Sequence, residues 1–374
     1  MHLKRYVYTF GNKNFSEFPF GNVDGAFFAY LSYPCWEIVA PTIDNPDGKP
    51  FCFEDLTEEL IKKLVVGSPT PNQHKKLLTA IMRTTRYRGV KIKFIESKFS
   101  YEKKQQYYAL TFEIPGVGHY ICFRGTDLTI LGWEENFRFT LKAPNPSQID
   151  AVQYINKVID KIDGPIYIGG HSKGGNLAIF AGTNISREIQ DRTIKIYSID
   201  GPGFYSKEIY ETESYKHIED KVFHIIPKNS IVGVCFHTPK HFKVVGSRSF
   251  ILVLQHSPYG WTIRKDGKFK YKNKRSFMTF VRHRTLTKWL ENESEEVKQL
   301  TIDSMVTALG GSDKTVLLYI KHPWLIAKTI VRWQKKYTKE QKKIISRFSG
   351  KFVKSYFGSI FYYLKKKRRD LTDE

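Results

Sequence analysis

Short apolar runs separated by turn residues dominate the middle of this chain. Tyr107–Ile114 and His119–Arg124 flank Pro115-Gly116-Val117-Gly118, a pattern that predicts a β-hairpin. Ser147-Gln148-Ile149-Asp150 has the spacing of a capping box and opens a helix with apolar positions 151, 154, 155, 158, 159 and 162. Continuous apolar runs at 166–168, 194–199, 222–226, 242–245 and 250–254 read as strands, and polar, helix-compatible segments lie between them. A late hairpin is expected around Asp266-Gly267, and a helical stretch from 276 to 309 closed by Gly310-Gly311. This rhythm predicts an α/β fold with a mostly parallel central sheet and helices on both faces.

One stretch changes the picture from architecture to chemistry. Ile166-Tyr167-Ile168 runs into Gly170-His171-Ser172-Lys173-Gly174, and the helix-forming Leu177–Ala181 follows. Strand, Gly-x-Ser-x-Gly, helix is the arrangement of a nucleophile elbow, the hallmark of an α/β-hydrolase. Ser172 would sit on a sharp turn with strained backbone, and the flanking glycines remove side chains that would collide there. The bland alternative is a glycine-rich strand-to-helix turn.

An elbow serine is inert unless a histidine takes its proton and a carboxylate orients that histidine. In this fold the partners follow in the order nucleophile, acid, histidine. Of the seven histidines after Ser172, His256 stands just past the apolar run 250–254, in a Ser-Pro-Tyr-Gly context that suits a site loop. Asp200 ends the run 194–199 and opens the rigid turn Gly201-Pro202-Gly203, which makes it the leading acid. The loop after 222–226 offers Asn229 and Ser230, able to orient a histidine but not to neutralise imidazolium; Glu219 and Asp220 stand at that strand's wrong end. For the oxyanion, the expected donors are the backbone N–H of Lys173 and of Thr126, in the loop Arg124-Gly125-Thr126-Asp127. This chemistry calls for no metal or cofactor.

Phe123-Arg124-Gly125-Thr126, Gly132-Trp133, the elbow and a late histidine resemble the fungal-type, class three lipases. A closer resemblance is to the Mbeg-like bacterial proteins, a family of unknown function placed among the lipase-like α/β-hydrolases. It rests on residues 170–178, 200–204, 230–233, 255–258 and the early segment Asp24–Tyr33, and spans roughly residues 1–310. The resemblance implies the hydrolase fold, serine-hydrolase machinery and an acyl-ester or lipid-like substrate. Two departures from the lipases stand out. Lys173 replaces an apolar residue, where it would favour an anionic substrate, stabilise charge or point to solvent, and Asn229-Ser230 occupies the usual place of the acid.

Charge marks off a second unit. The net charge is +23, and between Lys314 and Arg369 there are 17 Lys or Arg against one acid, Glu340. The chain therefore divides into a hydrolase-like domain over 1–312 and a basic, amphipathic, helical tail over 313–374. Pro323 suits a first helical turn, and Thr338–Gln341 offers a second capping box. One face then carries Lys328, Arg332, Lys335, Lys336 and Lys339, opposite Ile326, Ile330, Trp333 and Tyr337. A further apolar stripe follows at Phe352, Val353, Tyr356, Phe357, Ile360, Phe361 and Leu364, ending in Lys365–Arg369. Two readings stay open: the stripe lies on an anionic membrane surface, or it packs on the body. No nucleic-acid recognition motif accompanies the charge. Without a signal-peptide core, a membrane-spanning run or metal-like cysteine spacing, the expectation is a cytoplasmic protein with reduced thiols. A catalytically silent hydrolase fold that binds a membrane or a partner is the competing expectation.

Overall fold

The computed structural model describes residues 1–45, 47–141, 144–290, 293–315 and 325–372. Nine strands form one sheet in chain order: β1 (Phe51–Cys52), β2 (Lys91–Ser100), β3 (Gln105–Ile114), β4 (Gly118–Phe123), β5 (Ile166–His171), β6 (Thr193–Ile199), β7 (Val222–Pro227), β8 (Phe242–Val245) and β9 (Tyr271–Lys272). From β4 to β8 every neighbour is parallel, whereas β1 to β4 and the β8–β9 pair are antiparallel. The sheet is therefore mixed, with its parallel part in the centre, and not mostly parallel throughout. The parallel steps from β4 to β7 return through helical connections, the step from β7 to β8 through the loop 228–241, and the β2–β3 and β3–β4 hairpins need only turns.

Alternate residues of the central strands feed two cores. On β4, Tyr120 and Cys122 enter an aromatic core shared with the helix Asn22–Tyr30, while Ile121 and Phe123 enter an aliphatic one shared with the helices Pro146–Val158 and Lys173–Asn184. In the first core, Asp24 is fully buried and accepts hydrogen bonds from Tyr6, Tyr87, Arg86 and the Gly21 amide. That set binds the amino-terminal helices to the turn before β2.

The β3–β4 hairpin forms as the pattern predicts, with Ala109 opposite Phe123 and Ile114 opposite Gly118. The following helix begins two residues earlier than its capping pattern suggests. Asn145, not Ser147, is the cap, paired reciprocally with Gln148, because Pro146 takes the first helical position. The run 250–254 is not a strand. Leu252–His256 is a short helix, and Phe250 is 98% exposed. The edge of β8 is already occupied by β9, so this run has no ladder to join. The late hairpin forms at Asp266-Gly267, and the stretch 276–309 is two helices, Phe277–Leu290 and Glu295–Ala308.

The basic tail packs on these two helices. The helix Leu325–Lys336 lies against Glu295–Ala308, where Trp333 bonds Ser304 and Thr329 bonds the Ala308 carbonyl. The C-terminal helix Lys339–Thr372 lies along Phe277–Leu290 and starts at the expected Thr338–Gln341 box. Pro323 and the side chains of Ile326, Ile330, Arg332 and residues 366–369 lie outside what the structure describes. Among the described residues, no helix is long and apolar enough to cross a membrane.

Candidate active site

Ser172 occupies the turn between β5 and the helix Lys173–Asn184, with φ 58° and ψ −129°. A non-glycine residue there is strained, and the neighbouring backbone accounts for its persistence. A Cβ on Gly174 would fall 2.0 Å from the Phe123 carbonyl oxygen. One on Gly125 would lie 2.6 Å from the His171 carbonyl oxygen and 3.1 Å from the Ser172 Cβ. The turn is thus clamped between the elbow helix and the loop after β4, and only glycine lets the three segments meet.

His256 and Asp200 come together beside this turn. His256 Nδ1 and Asp200 Oδ2 are 2.7 Å apart, so Nδ1–H donates to the carboxylate and Nε2 is left as the basic nitrogen. Asp200 is fully buried at φ 46°, and its other oxygen accepts from the Ser230 hydroxyl at 2.6 Å and the Gly233 amide at 3.0 Å. Asn229-Ser230 therefore does not orient the histidine. Ser230 bonds the carboxylate that does, while Glu219 and Asp220 sit in a short 3-10 turn ahead of β7.

His171, a residue the sequence pattern passes over, ties the cluster to the turn at Ser172. Its Nε2 lies 2.9 Å from the His256 carbonyl oxygen and must donate, so Nδ1 accepts from the Tyr33 hydroxyl at 2.8 Å. Burial holds its pKa well below the ordinary histidine value, and the adjacent His256 adds to that, so the ring is neutral. The imidazoles of His171 and His256 stand 4.4 Å apart, centroid to centroid. Ser172 Oγ makes no hydrogen bond with any described residue; it faces a cavity instead.

Lys173 is buried and does not point to solvent. Its Nζ is buried, paired with Glu135 at 2.7 Å and donating to both the carbonyl and the side chain of Gln106. Glu135 also accepts from the Ser147 hydroxyl and the Gln106 amide. The backbone N–H of Lys173 stands at the first helical position, where no intrahelical acceptor exists. Thr126 follows the Gly125 contact and bonds Asn136, whose Nδ2 donates to its hydroxyl at 2.7 Å. The sequence offers no local signal for the Lys173–Glu135 pair, which joins positions 38 residues apart.

The cavity bordered by Ser172 has a volume of about 300 Å³. Its walls include Trp133, Phe236, Trp289, Met305 and Phe348, so the two late helices and the basic tail help enclose it. Lys298, which also borders it, is held by the Tyr205 hydroxyl at 2.6 Å and by Glu295. All four cysteines are free thiols, and among the described residues no group of His, Cys, Asp or Glu is arranged to hold a metal ion.

No curated protein and no solved structure matches this chain. The model of one family, Mbeg1-like, matches residues 81–307, a span that holds Ser172, Asp200 and His256, and the chain belongs to the Mbeg1-like family.

Proposed function

We propose that this protein is a serine hydrolase of carboxylic esters with an apolar acyl group, built on a lipase-like α/β-hydrolase fold. The observation that carries the reading is the hydrogen-bonded Asp200–His256 pair set beside a strained Ser172, whose hydroxyl opens on an apolar cavity. Ser172 attacks the acyl carbon, and His256 Nε2 takes its proton. Asp200 fixes the imidazole tautomer and stabilises the imidazolium that forms. The backbone N–H groups of Lys173 and Thr126 receive the developing oxyanion. His256 then protonates the leaving alcohol, and a water activated by the same imidazole releases the acid from the acyl-enzyme. A cavity of about 300 Å³ with aromatic and aliphatic walls suits an apolar acyl chain better than a charged one, which would leave water unreplaced.

The test is labelling of the full chain by a fluorophosphonate, alongside Ser172→Ala and His256→Ala. The reading expects labelling of the wild type and none of either variant, followed by turnover of aliphatic p-nitrophenyl esters. A folded wild type that neither labels nor turns over any ester would favour a non-catalytic binding module.

A further inference from the structure

The C-terminal helix Lys339–Thr372 has two apolar faces, and only one of them is covered. The inner face carries Phe348 and Ser359, buried against Phe277–Leu290; there Phe348 stacks on Trp289 with ring centroids 4.6 Å apart. On the opposite side Val353, Phe357, Phe361 and Leu364 are 53%, 55%, 69% and 48% exposed. At 3.6 residues per turn, these four fall within an arc of about 80°, centred almost diametrically from Phe348 and Ser359. A Cβ placed on Gly350 or Gly358 meets nothing within 4 Å, so the outer surface is open. The apolar stripe of the sequence is therefore divided, part of it packed on the body and part of it bare.

Charge is arranged around the bare arc in a definite way. Lys343, Arg347, Lys354 and Lys365 are exposed along one edge of it, and none makes an ion pair with a described residue. From Gln341 to Arg369 the chain has no acidic residue. A nucleic-acid surface would put cations across the centre of the face to meet phosphates. Here the centre is phenyl and aliphatic, and the cations stand at the margin. That is the layout of a helix lying in a bilayer interface, with apolar groups among acyl chains and lysine stems reaching up to phosphate. The helix also lies outside the family match, which ends at residue 307.

We propose that the outer face of the C-terminal helix docks on an anionic lipid bilayer through Val353, Phe357, Phe361 and Leu364, with the flanking cations on lipid phosphates. The same helix contributes Phe348 to the cavity at Ser172, so the docked surface and the site share one element. Docking itself needs no chemistry at Ser172 and stands or falls separately from the hydrolase reading.

Co-sedimentation of the full chain with vesicles of phosphatidylcholine, alone and mixed with phosphatidylglycerol, tests this. Binding is expected only to the mixed vesicles, weakening as salt rises. F357Q/F361Q should bind at least about tenfold more weakly, from the apolar area no longer buried. K343Q/K354Q should lose about fivefold per charge removed. Both pairs are on solvent-facing positions, and unchanged circular dichroism and melting would verify their fold. Ser172→Ala should bind as the wild type does, which keeps a failed esterase assay from bearing on the surface. A wild type left in the supernatant with phosphatidylglycerol vesicles overturns the proposal. So does undiminished binding by F357Q/F361Q, in particular if duplex DNA competes, or a loss of self-association in that variant without any vesicle binding in the wild type.

Discussion

Around Ser172 backbone meets backbone, whereas over the cavity side chain meets side chain. Gly174 abuts the Phe123 carbonyl and Gly125 abuts that of His171, leaving no room for a methyl group. At the cavity wall, Trp289 rests on Phe348 and Trp133 lies beside Phe137, contacts between groups that have rotamers to spare. The first kind of contact fixes the position of one hydroxyl. The second encloses a volume and leaves its shape open to change, since apolar side chains of similar size repack with small losses. The family match, residues 81–307, takes in the elbow together with Trp289 on the cavity wall and stops before Phe348. Geometry needed for a bond is held by main chain, and geometry needed for a cavity by replaceable side chains.

The sharpest way to break this contrast is Asp200→Asn. It keeps the shape of the site but inverts the hydrogen bond to His256, and ester turnover should fall on the order of ten-thousandfold; a fall under tenfold would remove Asp200 from the mechanism. Next is Lys173→Met, which strands Glu135 in the interior. Urea unfolding should show a loss of about 3–5 kcal/mol, and adding Glu135→Leu should recover most of it. Gly174→Ala should destabilise by about 1–3 kcal/mol and abolish fluorophosphonate labelling, as β4 is pushed off the elbow. If the alanine variant labels normally, main-chain contact is not what sets the nucleophile.

Acid probes the buried histidines. His74 and His224 are lowered to about 4, in both cases chiefly by burial. Between pH 6.5 and 4 the unfolded chain binds protons there and the folded one does not, so stability falls with falling pH. The loss is about 1.4 kcal/mol per pH unit for each histidine, read as a declining melting temperature. The smallest effect belongs to the outer face of the tail. Phe361→Gln should shift unfolding by under about 0.5 kcal/mol, because the ring is 69% exposed. A larger shift would mean that something in the protein covers it.

The elbow was readable from sequence because its determinants are local. Strand, turn and helix follow one another within twenty residues, and glycine is the only residue that serves on both sides of Ser172. Asp200 was readable for a similar reason, as the end of a strand opening a rigid turn. What could not be read was pairing at a distance. Nothing near Lys173 announces Glu135, nothing near Asp200 announces Ser230, and the carbonyl that His171 holds belongs to His256. The misread strand at 250–254 has the same origin. Apolar periodicity reports what a segment is suited to, but not whether a sheet edge is vacant to receive it.

The hydrogen bonds of His171 reach Tyr33, 138 residues before it, and His256, 85 residues after it. Few local contacts stand to gain until both loops have closed, and loop closure of that span is what slows a folding chain. The elbow turn itself should form early, with its strand and helix. The histidine that would serve it arrives only when the last third of the chain has docked. A ribosome-bound or nicked chain would thus carry the serine long before it carried any means of activating it.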